Sequence, residues 1–190
     1  MHIIIAGAGK VGASIAGSLL HEGHDITVID NDSEAVSRLS DILDISCIEA
    51  NAENIAALRS SGIAGADLFV AATADDKTNM LSSLAAKKLG ASRVIARVRD
   101  PEYLSQLDFW REAVGLSFIV NPDLECARTI ARILSFPSAA GVDVFSKGNV
   151  EIVEYKIREG DLLAGLQIKD LHSKFGKNVL ISFVERDGEV

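Results

Sequence analysis

The fold is decided by the stretch Ile3-Ile4-Ile5-Ala6-Gly7-Ala8-Gly9-Lys10-Val11-Gly12, followed by Val28-Ile29-Asp30. The first apolar run predicts a strand that passes directly into a glycine-rich turn. A helix over about residues 11–22 is expected next, and the second apolar run closes a second strand. This succession is a β–α–β unit, which joins two parallel strands through one helix.

The turn has the spacing G-x-G-x-x-G, which is a weak signal by itself and a stronger one between a strand and a helix. The first glycine permits the tight turn, the second lets backbone approach a pyrophosphate, and the third allows close packing of helix and strand. The unpaired N–H groups at the helix start would then face phosphate oxygens. An ordinary turn without ligand is the alternative. We therefore predict that a nucleotide contacts Gly7, Ala8, Gly9, Lys10, Val11 and Gly12.

Asp30 lies about twenty residues further on, where an acid accepts hydrogen bonds from ribose hydroxyls. Its charge would repel a 2′-phosphate, so NADP is disfavoured, and no arginine in the adjoining Asn31 and Asp32 offsets that charge. We expect Asn31 to lie beside the same ribose. The sequence has no G-x-x-x-x-G-K-[ST] loop, which excludes a P-loop ATPase. NAD(H) and ATP or ADP both remain open.

Strand and helix patterns alternate up to residue 135, which predicts a Rossmann-like, doubly wound parallel sheet of the α/β class. Ser33 is expected to cap the second helix. Apolar residues at helical spacing predict a helix over 123–135 with one apolar face. Residues 136–149 have the composition of a linker. Residues 150–190, with strands expected at 151–156 and 179–185 and a turn at Asp187-Gly188, predict a small, truncated α+β domain.

Composition excludes several classes of protein. The net charge is −8 and no basic cluster stands out, so nucleic acid is not an expected partner. The two cysteines are too few and too far apart for a disulfide framework or a zinc site, which fits a reducing cytosol. No segment has the apolar length of a membrane span, and a signal peptide is not expected.

The sequence resembles the Trk potassium-uptake protein A family, which carries the regulator-of-potassium-conductance (RCK, or KTN) domain. Besides the glycine turn and Val28-Ile29-Asp30, the resemblance is carried by residues 68–79 (Leu-Phe-Val-Ala-Ala-Thr-Ala-Asp-Asp-Lys-Thr-Asn) and 94–103 (Val-Ile-Ala-Arg-Val-Arg-Asp-Pro-Glu-Tyr). Residues 153–157 and 162–171 resemble the small C-terminal ligand-binding domain of that family. The resemblance therefore covers nearly the whole chain.

This resemblance implies a cytosolic subunit that binds NAD(H) or ATP/ADP and regulates a potassium transporter or channel in the membrane. It also implies a homo-oligomer, either a dimer or a higher ring, held on the inner face of the cell membrane by the transporter. Some relatives bind a cation beside the nucleotide at a dimer interface through an acid that corresponds to Asp123. The alternative is that Asp123 only complements the helix dipole.

Further contacts are expected where later strands end, because ligands of open α/β sheets bind outside the carboxyl ends of the strands. Arg97 and Arg99 could hold outer phosphates by paired hydrogen bonds, or could pair with Asp100 and Glu102 instead. Asn51 stands where the family often has an aspartate, and we expect only a weak contact there. The remaining predicted contacts are Ala52, Thr73, Ala74, Asp76 and Asn79.

An NAD-dependent dehydrogenase is the alternative function. Such an enzyme needs a general acid or base and a substrate pocket, usually on a sizeable second domain. Only His172 offers an obvious acid or base in the last fifty or so residues, and no partner for it is apparent. We therefore expect a regulatory protein without enzymatic activity.

Overall fold

A computed structural model describes residues 1–135, 139–145, 150–175, 180–186 and 189. The chain divides into two compact units, Met1–Thr129 and Ile130–Val190. Within the described ranges, no helix is both long enough and apolar enough to cross a membrane.

The first unit is a six-stranded parallel sheet in the order β3-β2-β1-β4-β5-β6, flanked by helices. This confirms the predicted doubly wound sheet, with the reversal of strand order between β1 and β4. The strands are β1 His2–Ala6, β2 Asp25–Asp30, β3 Ser46–Glu49, β4 Leu68–Ala71, β5 Arg93–Arg97 and β6 Phe118–Val120. The helices are α1 Lys10–His21, α2 Ser33–Ile42, α3 Ile55–Ser60, α4 Asp76–Leu89, α5 Pro101–Leu104, α6 Leu107–Val114 and α7 Pro122–Ser135, which continues into the second unit.

The central strand β1 is buried on both faces, as its uninterrupted apolar run predicts. Ile3 and Ile5 belong to one hydrophobic cluster, which includes residues of α1 and α2. Ile4 belongs to the opposite cluster, with residues of α3 and α4. Successive side chains of a strand point to opposite faces, so one short strand anchors both layers of helices.

The register of the sheet brings three loops to one edge. Ala6 pairs with Ala71, and Ala71 pairs with Ala96. Each of these residues lies at or near the carboxyl end of its strand. The loops that follow β1, β4 and β5 therefore emerge side by side, at the point where the strand order reverses.

The helix caps are well defined at α4, whereas the cap of α2 differs from the one predicted. The side chain of Asp75 caps α4, which ends at Gly90 with a φ of 114°. Ser33, expected to cap α2, is instead the first helical residue. Asp32 is the cap, because its carboxylate accepts from the backbone N–H groups of Glu34 and Ala35.

The second unit contains an antiparallel pair, β7 Gly141–Phe145 with β8 Val150–Glu154, and the short helix α8 Leu171–Phe175. The prediction of a linker over 136–149 is therefore wrong for residues 141–145. Glycine and serine suggested a linker there, but the alternation of Val142, Asp143 and Val144 suits a strand.

The strand expected at 179–185 is absent from its described residues, 180–185. A strand needs a partner for its backbone hydrogen bonds, and within 180–186 and 189 the pairing is a single antiparallel bridge between Arg186 and Glu189. The turn predicted at Asp187-Gly188 lies outside the described residues.

Candidate functional site

Two glycines of the turn are required by the packing of the protein itself. Gly7 has a φ of 110°, and a Cβ atom there would lie 2.9 Å from the backbone of Ala72 and Thr73. A Cβ atom on Gly12 would lie 1.8 Å from the carbonyl oxygen of Gly7. Any side chain at Gly12 would therefore force the first turn of α1 away from β1.

The middle glycine differs, because no described residue lies close enough to exclude a side chain there. Gly9 has an extended backbone with a φ of −67°, and a Cβ atom there would have no atom within 4 Å. No side chain caps α1 after it, and no acid lies in the first turn. Gly9 thus keeps open the space in front of the unpaired N–H groups of α1, which attract anions.

The carboxylate of Asp30 stabilises the same turn through hydrogen bonds to backbone N–H groups. Its Oδ2 accepts from the backbone N–H of Ala8 at 2.6 Å, and its Oδ1 accepts from that of Asp32 at 2.9 Å. Each carboxylate oxygen can accept more than one hydrogen bond, so capacity for ribose hydroxyls remains. The sequence predicted only the ribose contact. Asn31 follows as an exposed residue.

Asn79 connects the loop after β4 to the end of β5. This side chain is fully buried. Its Oδ1 accepts from the N–H and the Oγ1 of Thr73, at 2.9 and 2.7 Å. Its Nδ2 donates to the carbonyl oxygens of Thr73 and Arg97, at 3.1 and 2.9 Å. The amide is thus used inside the protein, and Thr73 is half-buried at the edge of the sheet.

Both predicted arginines reach the loop after β4. Arg97 donates from Nη1 to the carbonyl oxygen of Thr73 at 3.3 Å, and Arg99 donates from Nη2 to that of Ala74 at 2.5 Å. The alternative pairing with Asp100 and Glu102 is not among the ion pairs of the described residues. The two cations therefore lie against the loop that packs on Gly7.

Asp76 holds the loop after β5. Its Oδ2 accepts from the backbone N–H groups of Arg99 and Asp100, at 2.9 and 2.8 Å. Its side chain is only 13% exposed, and its Oδ1 lies 4.0 Å from Nε of Arg99. The carboxylate thus faces this loop, a role that nothing in the spacing of the sequence indicates.

The remaining predicted residues lie around this edge or away from it. Asn51 follows β3 and is exposed, and its Oδ1 accepts from the N–H of Glu53 at 2.8 Å. Its neighbour Ala52 is buried. Asp123 is exposed in the first turn of α7. The described residues contain no cluster of three or more acids, histidines or cysteines that could hold a metal.

A cavity of about 550 Å³ lies at the other edge of the sheet, lined by Arg59, Gly62, Ile63, Ala64, Gly65, Lys88 and Leu89. These residues precede β4 or end α3 and α4, so they lie opposite the glycine turn. Ligands of open α/β sheets bind at carboxyl ends of strands. We therefore place the functional site at the glycine turn.

The arrangement fits a nucleotide. Open space in front of the helix N-terminus suits a pyrophosphate, and the carboxylate of Asp30 lies beside it for a ribose. The guanidinium groups of Arg97 and Arg99 lie against the loop after β4. A guanidinium group can bind two phosphate oxygens through a pair of parallel hydrogen bonds.

Comparison with known proteins agrees with this geometry. The family model for the TrkA-N domain matches residues 3–122. The Trk system potassium uptake protein TrkA homolog of Archaeoglobus fulgidus is 40% identical over 190 residues, which are 100% of this chain and 43% of that protein. A homolog of the same name from Methanothermobacter thermautotrophicus is 30% identical over 171 residues, 90% of this chain and 77% of that protein.

Solved structures share the fold. The TrkA-N domain of the inner membrane protein ybaL from Escherichia coli has a TM-score of 0.63 and 19% identity, over 70% of this chain and 96% of that one. GsuK bound to ADP has a TM-score of 0.59 and 27% identity, over 72% of this chain and 34% of that one. The chain thus spans less than half of the length of the Archaeoglobus relative. From the match over residues 3–122 and these relatives, the chain belongs to the TrkA-N domain family.

Proposed function

We propose that this chain is the nucleotide-binding part of a regulatory subunit that controls a potassium transporter or channel. The observation that carries the proposal is the joint placement of an open helix N-terminus, a braced acid and two arginines at one edge of the sheet. The names of the relatives, which are potassium uptake proteins, support the choice of partner.

The ligand we propose is an adenine nucleotide, either NAD(H) or ATP/ADP. Asp30 disfavours NADP, because a 2′-phosphate would lie against a carboxylate. GsuK, which has ADP bound, supports the adenine nucleotide class. Exchange of one nucleotide for another would change the number of phosphates near Arg97 and Arg99. Such exchange can regulate a partner only if the nucleotides bind two assembly states with different affinity.

A dehydrogenase is the less favoured function because of where the possible proton donors and acceptors lie. In Met1–Thr129, the histidines are at the amino end of β1, at the end of α1 and just before β2. All three positions are at the edge opposite the glycine turn. The carboxylates at that turn, Asp30 and Asp76, accept backbone hydrogen bonds instead. We therefore propose that the nucleotide is a signal and not a reactant.

The apolar face of α7 supports a homo-oligomer. Leu124, Ile130 and Leu134 are 39%, 53% and 71% exposed. Exposed apolar side chains that share one helix face are typical of contact with another molecule. We propose that a second copy covers this face and that the assembly lies on the cytoplasmic side of the membrane. Asp123, on the first turn of the same helix, is where a cation at that interface would bind.

Gly9→Ala tests the binding site most cleanly. The added methyl group enters open space and the backbone φ suits alanine, so the variant should fold like the native chain. We expect calorimetry to show binding of adenine nucleotides to the native chain. A methyl group in the path of the pyrophosphate should weaken binding by about tenfold or more. Failure of NAD, NADH, ATP and ADP to bind would contradict the proposal, as would equal affinity in the variant.

Control of potassium transport needs its own test. In cells that depend on the whole protein for potassium uptake, the Gly9→Ala variant should keep normal protein levels. Its uptake should no longer follow the cellular ATP to ADP ratio, because the nucleotide signal is lost. Uptake that responds normally in a variant shown not to bind nucleotide would contradict the regulatory role.

A further inference from the structure

The two carboxylate oxygens of Asp76 have different surroundings. Oδ2 accepts two backbone hydrogen bonds from the loop after β5, which fixes where Arg99 leaves the chain. Oδ1 is buried and has no hydrogen-bond partner among the described residues. A buried carboxylate oxygen without a partner is unfavourable and needs a physical reason.

The nearest cation is the guanidinium of Arg99. Its Nε lies 4.0 Å from Oδ1 of Asp76, about 1 Å beyond the usual length of a hydrogen bond. The same guanidinium donates from Nη2 to the carbonyl oxygen of Ala74 and is 44% exposed. A small rotation of this side chain would complete the pair with Asp76. A larger one would carry it toward a ligand.

We propose that Asp76 is an internal competitor for Arg99, so that a nucleotide phosphate must displace this carboxylate to gain the guanidinium. The proposal rests on the function proposed above and explains how the site would distinguish nucleotides by their number of phosphates. Asp76 is thus a positioning residue that acts through Arg99.

Competition makes the site sensitive to the number of phosphates. A guanidinium prefers paired hydrogen bonds with an oxyanion, and it cannot make them with two oxyanions at once. A terminal phosphate that carries more charge would displace Asp76 more readily than an inner phosphate. A nucleotide too short to reach Arg99 would leave the Asp76–Arg99 pair unchanged.

The variant Asp76→Asn distinguishes competition for the guanidinium of Arg99 from structural support of the loop after β5. Asparagine keeps an oxygen that can accept from the N–H groups of Arg99 and Asp100, but it removes the charge that attracts the guanidinium. The matched control is Asp75→Asn, one residue earlier. The carboxylate of Asp75 caps α4 through the N–H of Thr78 and has no hydrogen bond to Arg99. Asparagine caps helices as well as aspartate does, so this control removes one charge and keeps the helix.

We expect Asp76→Asn to raise the affinity for ATP by about fivefold to tenfold, the scale of one ordinary hydrogen bond. Affinity for AMP should change by less than about twofold, because its single phosphate does not reach Arg99. The Asp75→Asn control should show no such selective gain, and Arg99→Gln combined with Asp76→Asn should abolish it. A residue that only supported the loop would lower affinity when changed.

Two results would overturn this inference while leaving nucleotide binding intact. One is an equal effect of Asp76→Asn and Asp75→Asn on ATP affinity. The other is weaker ATP binding in a folded Asp76→Asn protein. If the native chain binds none of the nucleotides, the proposed function itself fails, which is a different outcome.

A measurement on the native chain removes any dependence on how the variant folds. The side-chain Nε–H signal of Arg99 can be followed by nuclear magnetic resonance and assigned by its loss in Arg99→Gln. Saturating ATP should shift this signal strongly and AMP should leave it near its free position. Equal shifts with both nucleotides would contradict the competition.

Discussion

At the scale of single residues, Asp30 combines two roles that the sequence presents as one. An acid about twenty residues after the glycine turn predicts a ribose contact. The structure adds that its carboxylate accepts from the N–H of Ala8 and so holds the turn. Losing both the brace and the ribose bonds should make Asp30 the most sensitive polar side chain of the site.

We expect Asp30→Ala to weaken binding of NAD and ADP by ~1.5–3 kcal/mol, the range for hydrogen bonds to a charged group. Asp30→Asn is the matched control, because it keeps an oxygen that can accept from Ala8 and removes the charge. Calorimetry on both folded variants measures the effect. Unchanged affinity in Asp30→Ala would remove this residue from the site.

Arg97 and Arg99 should distinguish ATP from ADP. Both lie at or just after the end of β5 and donate to the loop after β4, where a terminal phosphate can gain paired hydrogen bonds that a shorter nucleotide lacks. Replacing both with glutamine should lower ATP affinity about tenfold more than ADP affinity, the effect of one lost charged hydrogen bond. Titration with each nucleotide tests this, and equal losses would mean that the arginines touch only inner phosphates or none.

The polar residues after β4 show where sequence reasoning reaches its limit. The rule that ligands bind at carboxyl ends of strands correctly places Thr73, Asp76 and Asn79 at this edge. It cannot tell which of them face the ligand. Asn79 is fully buried, and it bonds both to Thr73 in the loop just before its helix and to Arg97 at the end of β5. Contacts between distant segments depend on the register of the sheet, which no local pattern reveals.

At the scale of elements, local chemistry predicts the first unit well. The helix α4 begins after the acidic cap Asp75 and ends before Gly90, and both of these signals are visible in the sequence. The errors have similar local causes. Ser33 and Asp32 are both good caps, and only the structure shows which side chain accepts from the helix. In residues 141–145, the glycine suggested a linker, although the alternation of apolar and polar residues suits a strand.

The helix α7 should mediate self-association, since its apolar face is exposed. Changing Leu124 and Leu134 to glutamate would place charges on that face and should weaken assembly by about tenfold or more. Thr129→Glu is the control, because at about 100° per residue it lies on the opposite side of the helix. Sedimentation velocity measures the oligomer. Equal assembly in both variants would exclude this face as the interface.

At the scale of the whole molecule, strict alternation of strands and helices was enough to predict a doubly wound parallel sheet, and the order β3-β2-β1-β4-β5-β6 was found only in the structure. The second unit was harder, because its short segments carry little periodic signal and their pairing is not local. Together the sheet, the turn and the arginines fit the nucleotide-binding module proposed above.

Bound NADH should therefore persist. In Met1–Thr129 no histidine lies at the glycine turn, and Asp30 and Asp76 accept backbone hydrogen bonds there, so we propose that none of these groups moves a proton alongside a hydride. We expect no loss of NADH absorbance when the chain is mixed with a panel of small carbonyl compounds. A lactate dehydrogenase reaction under the same conditions is the positive control, and steady turnover by this chain would revive the dehydrogenase function.

A crystal structure of the chain with ADP is the most direct test of whether an adenine nucleotide binds across the glycine turn. We predict the pyrophosphate in front of Gly9, within hydrogen-bond distance of the first N–H groups of α1, and the ribose against Asp30. ADP bound elsewhere, such as in the cavity lined by Arg59 and Lys88, would contradict nucleotide binding at the glycine turn. A turn that stays empty at saturating ADP would contradict it as well.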